Sequence, residues 1–203
     1  MIINNINKFS KCGINASRIK SVILDFSGTT VDPYVIAPAI TFVEVFKKHG
    51  ISINMEQARA PMGLRKDIHI EQILQNPEIS NKWSEVYNRL FNKTDITNIY
   101  NDFIPLQLDC LAKYSNLIPG TENSLNKLKK KYDLSIGVTT GFNQEMCDII
   151  VDNTKKQGFV PDSYVGGDTV SNNMGFRPSP FMIYENMKLL GIWPPKSVIK
   201  VDD

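Results

Sequence analysis

Asp25 ends the run Ser21-Val22-Ile23-Leu24-Asp25 and is followed by Phe26-Ser27-Gly28-Thr29-Thr30, so an apolar segment delivers one carboxylate into a turn of small hydroxylated residues. A carboxylate so placed can attack an electrophile or hold a cation, and Gly28 with its threonines can offer backbone N–H groups to an anion. Taken alone, the same stretch is an ordinary polar strand end. Three later elements give it a chemical context: the hydroxyl of Thr140 before Gly141, the cation Arg177, and the pair Asp202-Asp203. One carboxylate nucleophile, one hydroxyl, one cation and a further carboxylate suit phosphoryl transfer. In that chemistry Asp25 attacks phosphorus, and Asp25 and Asp203 hold Mg²⁺ through hard oxygen ligands. Thr140 and Arg177 neutralise the equatorial oxygens.

Residues so far apart in the chain need a scaffold that gathers them. Val22 to Leu24 and Leu134 to Val138 are continuous apolar runs, the pattern of strands buried on both faces of a parallel sheet. Ser163 to Val165 and Ser197 to Val201 read as two more. Helices are expected between them: one after Thr121 as N-cap, with Leu125 and Leu128 inward and Lys129 to Lys131 outward; Asn143 to Lys156, with Met146, Ile149 and Ile150 inward; and Phe181 to Leu190, stopped by Gly191. Parallel strands end on one edge, which is where such sheets bind ligands, and Asp25, Thr140 and Asp202-Asp203 all fall at strand ends.

Residues 37–116 break the alternation. Phe42, Val43 and Phe46, at helical spacing, predict a helix over Ala39 to Lys48 that Gly50 stops, and a short helix is expected from Asn54 to Ala58. Pro61 to Leu64 forms a turn, and a helix over Lys66 to Leu74 places Lys66, His69 and Ile70 on one face. Two more helical patterns follow Ser80 (Trp83, Val86, Tyr87, Leu90) and Thr94 (Ile96, Ile99, Tyr100, Phe103). The expected architecture is an α/β fold, a Rossmann-like parallel sheet with an inserted helical cap after the first strand. Residues 1–19 form an extension, 20–36 and 117–203 the core, and 37–116 the cap.

Composition narrows the function classes. Hydrophobic residues make up 42% and charged residues 22% of the 203, and the formal net charge of +2 is not gathered in a block, so nothing favours nucleic acid or a membrane surface. Cys12, Cys110 and Cys147 are odd in number and far apart, which fits neither a disulfide framework nor a zinc site and points to a reducing, cytoplasmic setting. Lys8, Lys11, Arg18 and Lys20 without an acid leave organelle targeting as a lesser alternative. His49 before Gly50 reads as a residue at a helix C-terminus.

The four elements around Asp25, Thr140, Arg177 and Asp203 resemble the motifs of the haloacid dehalogenase superfamily. The segments Ile23 to Asp32, Pro61-Met62-Gly63-Leu64-Arg65-Lys66, Thr139-Thr140-Gly141-Phe142 and Gly175-Phe176-Arg177-Pro178 are similar, in order and spacing, to the phosphonoacetaldehyde hydrolase (phosphonatase) family. The resemblance implies hydrolysis of the P–C bond of phosphonoacetaldehyde to acetaldehyde and phosphate. It makes Lys66 the Schiff-base lysine, with its pKa lowered by burial and by Arg65, Arg177 and Mg²⁺, and Asp25 the residue that becomes an aspartyl phosphate. His69 would assist proton movement, and Met62 would line the substrate pocket with Gly28, Thr29, Gly63, Gly141 and Phe142. The Ser27 carbonyl would join Asp25 and Asp203 around Mg²⁺. Ser27 stands where phosphatases of the superfamily carry a second Asp, and an enamine leaving group needs no acid there. The resemblance further implies a homodimer through the cap, with an exposed apolar face around Trp83 and Tyr87.

The chain departs from the family pattern at Val35, in place of a cysteine, and at Phe142, in place of a tyrosine. The family pattern continues beyond the final metal aspartate, so the C-terminal part of the core is expected to be missing, by fragmentation, truncation or degeneration. Two alternatives follow: a general phosphatase of the superfamily, and a catalytically inactive homologue.

Overall fold

The structure, a computed structural model, describes residues 19–170 and 174–203, so the expected extension over 1–19, with Cys12, lies outside the described residues except at its last position. The chain divides into two units: residues 1–34 with 115–203, and Val35–Tyr114.

In the first unit β1 (Ser21–Asp25) is buried along its whole length, as its unbroken apolar run requires. It lies between β2 (Ser135–Thr139) and β4 (Val198–Val201), and β3 (Ser163–Val165) pairs with β2, giving the order β3-β2-β1-β4 with every described pairing parallel. The register sets Asp25 beside Thr139 and Leu24 beside Val201. After β1 the chain folds on itself around Phe26, whose carbonyl accepts from the N–H groups of Thr30 and Val31 at 2.8 and 2.9 Å. The two strands of chain that lead out of and back into this unit run side by side, through Ile118 N–H to Thr30 and Asp32 N–H to Asn116.

Among the described residues three helices pack on this sheet. They are α6 (Thr121–Tyr132) on β2, α7 (Gln144–Lys156) on β3, and α8 (Phe181–Leu189) on both. The Asn186 amide fixes α8: it donates to the Val138 carbonyl at 3.0 Å and accepts from the Ser163 hydroxyl at 2.6 Å. Thr121 is not the cap of α6. Gly120, at φ +87°, holds that position with no side-chain bond, because the left-handed turn out of Pro119 favours glycine. Lys129 is half-buried rather than free on the outer face, with its ammonium 2.7 Å from Asp162. On α7 the inner face is Met146, Cys147, Ile150 and Val151, and Ile149 lies at its margin.

The second unit is helical throughout its described elements. Here α1 (Ile36–Lys48) starts three residues before the expected Ala39, since Pro38 falls in the first turn, where its missing N–H has no intrahelical acceptor to lose. The short α2 (Met55–Arg59) has reciprocal caps between Asn54 and Gln57. Next come α3 (Lys66–Gln75) and α4 (Pro77–Tyr87). The latter begins before Ser80 because the Asn76 side chain caps Glu78 N–H and Pro77 takes the first position. Trp83 is 1% exposed and stacks on Tyr87 at 4.2 Å, so the expected exposed face at Trp83 is absent; Val86 and Leu90, the latter past the helix end and 70% exposed, are what faces outward. The last helix, α5 (Lys93–Tyr114), runs through Pro105. No helix among the described residues is long and apolar enough to cross a membrane.

Candidate active site

At the C-terminal end of β1, Asp25 meets Arg177, with Oδ1 accepting from Nη2 at 2.7 Å. Asp202 Oδ1 lies 3.5 Å from the same guanidinium nitrogen, and Lys200 Nζ is 2.9 Å from Asp202 Oδ2. Carboxylate oxygens of Asp25, Asp202 and Asp203 lie within 4.8 Å of one another. This follows from the register: β4 lies directly beside β1, so the residues after Val201 emerge next to Asp25. Burial pushes the Asp25 carboxyl above its ordinary pKa, and the nearby Asp202 adds to this, while Arg177 and Lys200 oppose it. Burial also works against the charge of Arg177, but Asp25, Asp202 and Asp203 outweigh it and hold its proton more tightly.

Gly28 has φ +86°, and a Cβ there would lie 2.5 Å from Asp203 Oδ2, so the loop after β1 and the carboxylate after β4 approach as only glycine permits. The turn does not present the expected free donors. Gly28 N–H is taken by the carbonyls of Val31 and Asp32 at 2.8 and 3.1 Å, and Thr29 N–H faces Phe26 at 3.3 Å. Thr140 follows β2 and is buried, with its hydroxyl oxygen accepting from Phe142 N–H at 3.4 Å. Phe142 is buried, and Gly141 and Ser27 are half-buried.

In the helical unit Lys66 opens α3 and is only 8% exposed, with Nζ 5.7 Å from the Phe42 ring centroid. His69, one turn on, is fully buried. Its Nε2 bonds the Ala58 carbonyl at 2.8 Å, and burial, then the charge of Lys66, lowers its pKa to about 3, so the imidazole is neutral. Arg65 is engaged by Asp67 through two bonds of 2.6 Å, so its charge is largely answered locally. Met62 is half-buried and Gly63, at φ +94°, is exposed. His49 ends α1 as expected, and its Nε2 also lies 2.9 Å from Asp102.

A family model described as haloacid dehalogenase-like hydrolase matches residues 22–203. Phosphonoacetaldehyde hydrolase from Paraburkholderia phytofirmans is 40% identical over 186 residues, covering 91% of this chain and 68% of that protein. The chain belongs to the phosphonoacetaldehyde hydrolase family of haloacid dehalogenase-like hydrolases. A bifunctional phosphonoacetaldehyde hydrolase/aminoethylphosphonate transaminase from Clostridioides difficile is 38% identical over 94% of this chain and 29% of its own length. The crystal structure of a phosphonoacetaldehyde hydrolase-like protein from Oleispira antarctica superposes with a TM-score of 0.86 at 34% identity, over 93% of this chain and 67% of that one. As a member of this family the chain is a hydrolase, and its α/β fold is the family's.

The structure brings Asp202, paired with Asp203 in the sequence reading, into the cluster at Asp25, and adds Lys200, which that reading did not single out. A lone lysine within the short strand β4 carried no signal of its own. The structure also adds Phe42, whose ring lies against both Lys66 and His69. Its helical spacing with Val43 and Phe46 marked it in the sequence as a core residue and nothing more. Cys147 is buried and free, and burial raises its thiol pKa out of the reactive range.

Proposed function

We propose that this protein hydrolyses the P–C bond of phosphonoacetaldehyde to acetaldehyde and phosphate, with Lys66 and Asp25 in covalent roles. The observation that carries this reading is Lys66: a lysine almost wholly withdrawn from water, one turn from a neutral histidine, at the end of a Pro61–Lys66 segment that resembles the family's motif. A carbanion is too basic to leave phosphorus unaided. Lys66 answers this by condensing with the aldehyde, releasing water and forming a protonated imine that accepts the electron pair. Asp25 attacks phosphorus, the P–C bond breaks, and the electrons move into an enamine on Lys66. Water then hydrolyses the aspartyl phosphate. The enamine takes a proton and a second hydrolysis frees acetaldehyde and the amine, so the net reaction consumes one water. Arg177 holds the Asp25 carboxylate and neutralises phosphoryl charge, Thr140 donates to a phosphoryl oxygen, and Ser27 supplies no general acid, in keeping with an enamine leaving group.

The carboxylates suit a hard divalent cation: three oxygen donors lie within 4.8 Å of one another, and one of the three residues is buried. Asp25, Asp203 and the Ser27 carbonyl would hold Mg²⁺, with Asp202 in reach. Bound there, Mg²⁺ supplies charge neutralisation for the phosphoryl group. Met62, Gly63, Gly141 and Phe142 complete the proposed substrate contacts. A homodimer through the helical unit belongs to the same reading, supported now by the exposed Val86 and Leu90 rather than Trp83.

Borohydride added during turnover is expected to trap a two-carbon adduct on Lys66, read by peptide mass spectrometry, and Lys66→Ala is expected to lose both adduct and phosphate release. A folded, Mg²⁺-replete protein that releases phosphate without forming the adduct would overturn the lysine's role. Sugar-phosphate turnover surviving Lys66→Ala would point to a general phosphatase.

A further inference from the structure

The ring of Phe42 on α1 has a role beyond filling the core. It stacks on His69 with centroids 3.8 Å apart and planes 23° from parallel, and on Phe103 of α5 at 4.6 Å and 29°. Two rings at those separations cannot share one face of a third, so Phe42 lies between them. Lys66 Nζ is 5.7 Å from the same centroid. The imidazole is thereby held from three sides: Phe42 against its face, the Ala58 carbonyl of α2 on Nε2, and its own helix behind it. A carbonyl only accepts, so the Nε2 nitrogen carries the proton and Nδ1 carries the lone pair. That lone pair is buried and has no hydrogen-bond partner among the described residues. A buried acceptor without a donor is unfavourable, and the great majority of buried polar groups in folded proteins are paired.

We propose that Phe42 is a positioning residue for the lysine centre: its ring, wedged between Phe103 and His69, fixes the imidazole in the Nε2–H tautomer and keeps an unprotonated Nδ1 one helical turn from Lys66. This rests on the proposed role of Lys66 only for its consequence in turnover; the state of the imidazole is a property of the helical unit itself. Electrostatically, the charge acting on His69 is that of Lys66 on its own helix. The neighbouring helices α1 and α2 present it an uncharged ring and a carbonyl, and Phe103 of α5 lies beyond the Phe42 ring.

The test compares Phe42→Leu with Phe103→Leu. Both remove a fully buried aromatic ring from the same stack, but only the first bares the imidazole face. In ¹⁵N-histidine-labelled protein, with the His49 signal assigned by His49→Gln, wild-type His69 is expected as a single Nε2–H tautomer over the accessible pH range. Phe42→Leu is expected to mix the tautomers and move the titration up from about 3 by more than roughly one pH unit. It should also slow borohydride trapping at Lys66 by roughly tenfold and displace the pH profile of trapping. Phe103→Leu should lower thermal stability to a similar extent while leaving tautomer, titration and pH profile as in the wild type. Equal spectra for the two variants, an unchanged His69 in Phe42→Leu, or a wild-type proton on Nδ1 would each overturn the proposal. Should Phe42→Leu not fold, Phe42→Met is read in the same way. If the wild type forms no adduct with phosphonoacetaldehyde, the proposed activity fails, and the imidazole spectrum still decides the positioning role.

Discussion

Arg177→Met removes the cation beside Asp25 while keeping most of the side chain's apolar stem. Breaking a fully buried ion pair from one side costs about 3–5 kcal/mol. Arg177 is 27% exposed at its side chain, and Lys200 remains near the cluster through Asp202, so solvent and a second cation reduce that figure to about 2 kcal/mol near neutral pH. For a chain of this length that is a fall in melting temperature of about 4–8 °C. The pH dependence has a definite sign. Asp25 already has a folded pKa raised above its unfolded value, so it favours the folded state below the unfolded pKa and loses that contribution as pH rises through the folded one. Removing Arg177 deletes the chief influence opposing burial and raises the folded pKa further. The gap between variant and wild type should therefore open as pH rises and narrow as pH falls below the folded pKa, where a protonated Asp25 needs no cation. Melts of wild type, Arg177→Met, Asp25→Asn and the double variant, followed by circular dichroism in EDTA, measure this, and the double variant should lose less than the two single losses together. A fall of the same size at every pH and in both Asp25 backgrounds would refute the charge argument and leave Arg177 as a packing residue.

Gly28→Ala should weaken Mg²⁺ binding by about 10- to 100-fold in calorimetric titration, because its Cβ must displace the Asp203 carboxylate and its φ is left-handed; unchanged affinity would remove Asp203 from the proposed ligand set. Gly137→Ala puts a Cβ 2.8 Å from Asn186 Oδ1 and 3.2 Å from Ile23 Cγ1, beneath α8, and should cost about 1–3 kcal/mol in chemical denaturation. Asp95, held below the usual carboxylate range chiefly by the two bonds from Arg89, should show the opposite pH dependence to Asp25. Asp95→Asn destabilises near neutral pH, and the difference from wild type disappears as pH falls through the folded pKa, as urea midpoints across the acid range would show.

The parts of this fold that side-chain burial controls could be read from the chain, and the parts that backbone hydrogen bonding controls could not. Val22 to Leu24 announced a central strand because a strand covered on both faces must be apolar at every position, and once β1 and β4 run parallel, Asp25 and Asp203 have one edge to share. Periodicity carried no such information about Gly28. Whether its N–H faces a ligand or the Val31 carbonyl depends on left-handed dihedrals at Gly28 and Asp32, which leave no trace in the spacing of apolar residues. Helix starts were out of reach for the same reason: the expected helices began at Ala39 and after Ser80, past Pro38 and Pro77, yet in a first turn the donor that proline lacks has no intrahelical acceptor waiting. Trp83 shows the converse error. Its spacing with Val86 and Tyr87 described one stripe, but a stripe does not say which part meets a neighbour, and here the ring turns inward on Tyr87 while Val86 stays in water. Phe42 combines the two limits, for its burial was legible and its partner was not. An apolar position at helical spacing is core by default, and only the stacking of its ring on an imidazole whose other nitrogen is already bound to a carbonyl gives that burial a chemical consequence.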